Sequence, residues 1–69
     1  MMNSDQTIVE SLKATRKPLK VAEASEIIGI HPVTAYKWAK DGKMPSLRLG
    51  GAVRIDPQAL ARWVEERSL

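Results

Sequence analysis

The chain contains no cysteine. That removes a disulfide framework and any thiolate metal site, and it suits a reducing cytoplasm. Histidine occurs once, at His31, with no cysteine or clustered carboxylate beside it. A metal or catalytic role is therefore set aside, and His31 is placed at a helix cap, within reach of a phosphate. No stretch is long and apolar enough to span a membrane, and no signal-peptide pattern opens the chain. Aromatic residues are few, and Trp38 and Trp63 fall on apolar helical faces as core anchors, not base-stacking platforms. Gly50-Gly51 lacks the Lys and Ser/Thr of a phosphate-binding loop, and no nucleophile stands paired with a base. The expectation is a non-enzyme without metal or cofactor. At 69 residues it is one small domain of modest stability.

The charge that is present is unevenly placed. Residues 31–54 carry Lys37, Lys40, Lys43, Arg48 and Arg54 against the single acid Asp41, while the residues before them balance. A basic half of this kind is the footprint expected for a polyanion, because each neutralised phosphate releases condensed counterions. A generally basic surface is the plainer alternative.

The stretch VAEASEIIGIHPVTAYKW, residues 21–38, has the pattern of a helix-turn-helix. Val21, Ala24, Ile27 and Ile28 share one face of a first helix that ends at Gly29. A second helix starts at Pro32, whose missing N–H costs nothing at the first helical position, and stops at Asp41-Gly42. Ala35, Trp38 and Ala39 form its inner stripe. Val33, Tyr36, Lys37 and Lys40 form the opposite stripe, which contains no acid. A valine suits a thymine methyl, and lysines suit guanine edges or phosphates.

Residues 44–55, MPSLRLGGAVRI, alternate apolar and basic positions around two glycines and read as a β-hairpin. A two-residue Gly50-Gly51 turn would set Arg48 opposite Val53 and mix the faces. A three-residue tip of Gly50, Gly51 and Ala52 would set Arg48 opposite Arg54 and Leu47 opposite Ile55. The second register keeps one apolar and one basic face and is the expected one. Asp56 and Pro57 then open a last helix, with Ile55 stapled onto Leu60 and with Leu60, Trp63 and Val64 facing inward. Residues 1–17 read as an arm, flexible or a short helix. Asp5 is its possible cap, Ile8, Val9 and Leu12 lie on one face, and Arg16, Lys17 and Lys20 follow as a small basic cluster. A frayed arm is favoured over a contribution to the core, and a contact between copies is a further option.

Taken in order, the run from Pro18 to Glu66 resembles the excisionase-type winged-helix DNA-binding domain, related to the MerR-like regulators. The VAEA helix, the IGIHP turn, TAYKW, the DGKMP turn, the RLGG wing and the Pro-started helix all fall in the family's order. The resemblance implies a mainly helical α+β fold, a winged helix-turn-helix over residues 18–69 with a two-stranded hairpin wing. It implies groove reading by Val33, Tyr36 and Lys37, backbone contact by Thr34 and Lys40, and a wing of Arg48, Gly50, Gly51 and Arg54 that reaches the minor groove. Lys20 and Lys43 are further backbone candidates. Two positions depart from the pattern. Lys20 replaces the usual Thr cap and breaks the capping box with Glu23, and Lys37 replaces an arginine, giving a single-point contact in place of a bidentate one.

The resemblance further implies a recombination directionality factor of a phage or mobile element. Such a protein binds tandem sites in attachment DNA beside copies of itself, bends the DNA and directs an integrase toward excision in the bacterial cytoplasm. A small MerR-like transcriptional regulator without an effector domain is the alternative, since few residues follow Trp63. A protein-interaction adaptor is the third reading, and the acid-free stripe on the second helix argues against it.

Overall fold

The computed structural model describes residues 4–67. Helix α1 (Ser4–Ala14) leads into a short strand β1 (Leu19–Lys20), then helices α2 (Val21–Ile28) and α3 (Pro32–Lys40). Strands β2 (Leu47–Leu49) and β3 (Ala52–Ile55) form the wing, and α4 (Pro57–Arg67) follows. The sheet is antiparallel with β3 in the centre, in the order β1-β3-β2. This is a mainly helical winged helix-turn-helix, as expected, with one strand more than the sequence suggested.

The helix ends follow local chemistry. Gly29 closes α2 in the left-handed conformation, with φ 77°, and Ser25 O accepts from both Gly29 N–H and Ile30 N–H at 2.9 and 3.0 Å. This closure turns the chain sharply between the two helices of the motif. Asp56 Oδ1 accepts the Gln58 N–H at 3.0 Å and so caps α4, with Pro57 in the first helical position. Ile55 and Leu60 are both fully buried on either side of that cap, the arrangement of a hydrophobic staple.

The capping box of α2 is half kept. Glu23 Oε1 accepts the Lys20 backbone N–H at 2.8 Å, although a lysine side chain has no acceptor to return the bond.

Residues 1–3 of the expected arm lie outside the described residues, and from Ser4 on a helix forms in place of a frayed arm. Val9 and Leu12 of α1 enter the core with Leu19, Val21, Ala24, Ala35, Met44, Ile55, Leu60 and Ala61. The reason lies far along the sequence: α1 packs along α4. Gln58 Nε2 donates to Lys13 O at 3.1 Å and Thr15 O at 3.4 Å, satisfying carbonyls that the end of α1 leaves open. Asp5 is an early residue within α1, not the residue before it. Exposed Lys13 and Glu65 add a 3.4 Å ion pair of little energetic weight.

Leu12 is fully buried. Leu12→Ala is expected to cost about 2–5 kcal/mol. That is a large part of the total stability of so small a domain. A urea unfolding midpoint close to that of the parent would show α1 to be dispensable.

Candidate nucleic-acid interface

Helix α3 packs on α2 through Ala35 and Ala39 and turns its other side outward. On that outer side Val33 is 69% and Tyr36 55% exposed, and Lys37 and Lys40 are exposed beside them. Thr34 is half-buried, between the two faces. His31 is the N-cap of α3: its Nδ1 accepts the Val33 N–H at 3.1 Å. The proton of the neutral ring then lies on Nε2, a donor available at the exposed end of the helix.

The wing differs from the expected register. Leu47 pairs with Arg54, Arg48 with Val53, and Leu49 with Ala52. Gly50 and Gly51 therefore form a two-residue turn, with φ of 59° and 87°. Two successive positive φ values define a type I′ turn, whose twist matches that of the strands and which only glycine, asparagine or aspartate enters readily. The criterion of separated faces failed because Leu47 and Leu49 are not core residues; they are 45% and 48% exposed.

The correction separates the two arginines. Ile55 is fully buried and Val53 packs against the core, so the β3 alternation directs Arg54 and Ala52 to the outer face. Leu47 and Leu49 share that face through pairing, as does Lys20, opposite Arg54 on β1. The half-buried Arg54 folds back, its Nη1 donating to Val53 O at 2.9 Å. Arg48 lies on the other face, directed toward α3. Between α3 and the wing runs a groove of about 690 Å³ lined by Tyr36, Lys37, Lys40, Leu47, Arg48 and Val53. It brings together three of the expected basic residues. Lys20 and Arg54 stand outside it, and Gly50 and Gly51 lie beyond it at the wing tip.

Sequence reasoning missed Ser46 and Ala39, which also line this groove, and the 3.5 Å bond from Ser46 Oγ to Ala39 O that joins its walls. It also missed the anchor beneath it. The turn from α3 to the wing is closed by Lys43 N–H and Met44 N–H donating to Trp38 O at 2.8 and 3.2 Å, and Met44 is buried. Trp63 Nε1 of α4 donates to Lys43 O at 2.9 Å. The Trp63 ring lies 6.0 Å from that of Trp38, with the Arg67 guanidinium 4.2 Å above it. Lys43 itself is exposed, at the edge of this anchor and away from the groove. Among the described residues no cluster of three His, Asp or Glu able to hold a metal is present. Nor is any helix of the described residues long and apolar enough to cross a membrane.

An exposed helix backed by a bracing helix and joined to a wing through a basic groove defines the class: a helix-turn-helix DNA-binding domain. The helix-turn-helix domain family matches residues 18–68, and the chain belongs to it. Two Mycobacterium tuberculosis proteins are similar, "Putative DNA-binding protein MT0521" of strain CDC 1551 / Oshkosh and "Putative DNA-binding protein Rv0500A" of strain ATCC 25618 / H37Rv. Each is 28% identical over 61 residues, which cover 88% of this chain and 78% of the relative. No solved structure gives a significant match.

The indole bond that holds the helix-to-wing turn is testable. Trp63→Phe keeps most of the ring packing and removes the donor to Lys43 O, at an expected cost of about 1 kcal/mol. Amide exchange should quicken at Lys43 and Met44 more than at Leu60; uniform quickening would assign Trp63 to general core packing.

Proposed function

We propose that this chain is an excisionase: a DNA-bending protein that occupies tandem sites in attachment DNA and directs an integrase toward excision. The observation that carries the DNA-binding part is the groove in which Lys37, Lys40 and Arg48 converge from the reading helix and the wing. The recombination part rests on the order of motifs between Pro18 and Glu66. In this reading the protein performs no chemistry, needs no cofactor or small-molecule effector, and works in the cytoplasm of a bacterial host.

Val33, Tyr36 and Lys37 read base edges in the major groove. Thr34, Lys40 and the His31 Nε2–H face the sugar–phosphate backbone, and Arg48 takes a phosphate across the groove from Lys40. Arg54 and Lys20 meet the backbone from the far side of the wing, and Lys43 lies nearest the duplex flank. One short helix and one wing make a small specific interface. Binding is therefore cooperative, with adjacent copies supporting one another on repeated sites. The same interface would serve a small transcriptional regulator, and the M. tuberculosis relatives carry names that say only DNA binding.

An excision assay with the cognate integrase, run with and without the protein, separates these roles. Stimulated excision supports the proposal, whereas promoter repression with unchanged excision supports the regulator. On a two-site duplex the isotherm should be steeper than on a single site, and identical isotherms would remove the cooperative element.

The contacts separate by their salt dependence. Lys37→Ala should lose roughly 1–3 kcal/mol and relax preference at one base pair. Arg48→Ala should weaken all sequences alike and lower the salt slope by about one unit. Parental binding by both variants would overturn this docking.

A further inference from the structure

We propose that Leu49 and Ala52 form an apolar wedge that enters the minor groove of duplex DNA beside the site read by α3 and opens a base step there. The inference rests on the DNA-binding reading above and assigns the bend to particular side chains.

The first observation is position. Leu49 and Ala52 are the last pair of the wing ladder, and only Gly50 and Gly51 lie beyond them. The tip carries no side chain, so the most distal side chains of the wing are apolar and lie together on its outer face. The basic residues stand behind them. Arg48 is one residue back from Leu49 and points toward α3, while Arg54 is two residues back from Ala52 on the outer face, with Lys20 across from it.

The second observation is exposure without an internal partner. Leu49 is 48% exposed and outside the hydrophobic core. A half-exposed leucine at the end of a ribbon adds little to folding.

The third is charge. No acid occurs from Gly42 to Ile55, whereas Lys43, Arg48 and Arg54 do. An apolar end between cationic shoulders matches a minor groove, where the sugar walls and the stacked faces between bases are apolar and phosphates line both rims.

Width explains why a wedge is required. Paired strands lie about 4.8 Å apart between backbones. The minor groove is only about 6 Å wide. With atomic radii added the ribbon is wider than that slot, so the tip and Leu49 enter only if the groove widens. Apolar side chains at this depth unstack a base step and bend the duplex toward the major groove. A second copy of the chain fits the face less well. Two half-exposed leucines and an alanine offer far less apolar surface than the roughly 1,200 Å² of a stable protein interface, and the cations around them would face like charge.

The test uses the full chain and a duplex of about 30 base pairs recovered from a random pool by the wild-type protein. Leu49→Ser and Leu49→Phe should both melt like the parent, since the position is outside the core. Wild-type and Leu49→Phe complexes should show a bend by end-to-end energy transfer and permanganate-reactive thymines beside the α3 site. Leu49→Ser should lose the reactivity, straighten the duplex and bind roughly tenfold more weakly. Unchanged bend and reactivity with Leu49→Ser would overturn the wedge while leaving DNA binding intact. So would a loss confined to cooperativity between tandem sites, with single-site binding unchanged, because that result assigns the face to a neighbouring copy. Failure of the wild-type chain to recover any duplex would overturn the DNA-binding reading and the wedge with it.

Discussion

The burial of Ile55 fixes the arrangement of the wing. Ile55 is fully enclosed, pairs with Leu19, and stands immediately before the cap of α4. Its side chain cannot turn outward without exposing the centre of the core and undoing the start of that helix. Alternation along a strand does the rest. Val53 must follow Ile55 inward, and Arg54 and Ala52 must point out. The glycine turn then fixes the partners: Arg48 joins the inward set, where the ribbon has passed the core and opens onto the groove beside α3, and the two leucines join the outward set. A buried aliphatic residue thus decides which arginine faces α3.

Helix α3 is held at both ends by different means. Its start is tied locally, by Pro32 and by the ring of His31. Its end is tied over long range, through Trp38 O, buried Met44 and the indole of Trp63. Helix α4 contributes no groove-lining residue, yet it determines where the wing leaves α3. Helix α1 in turn braces α4, with Gln58 as the polar link and Val9 and Leu12 as the apolar one. Support passes inward from chain segments remote from the outer side of α3, whose residues stay solvent-exposed and contribute little to folding.

Much of this was legible in the sequence where the signals are local. Gly29, Pro32, Gly42 and the Asp56-Pro57 pair punctuate the helices by backbone chemistry that needs no knowledge of the rest of the chain. The outward stripe of α3 was legible for the same reason. Three features were not. Two-residue β1 is too short to carry a period. The core role of Val9 and Leu12 exists only once α4 lies across them. The wing register departs from the expectation because separation of apolar and polar residues onto opposite faces is a rule for sheets with one face on a core. Leu47 and Leu49 obey no such rule, and the positive φ required at two successive residues was the stronger signal. For the individual basic residues, geometry adds a grouping that spacing did not carry: Lys37, Lys40 and Arg48 on one groove, Arg54 and Lys20 on another face.

The half-kept capping box has a consequence for how the molecule behaves when crowded. Glu23 occupies the backbone N–H of Lys20 on β1, an edge strand only two residues long. The opposite edge, β2, has three residues, preceded by Pro45-Ser46 and bearing Arg48 at its middle. Neither border offers a run of free backbone groups long enough to template another strand. The sheet is in effect sealed against growth. Copies at high local concentration can lie side by side without their wings fusing into a common sheet, and each can part again as a separate folded molecule.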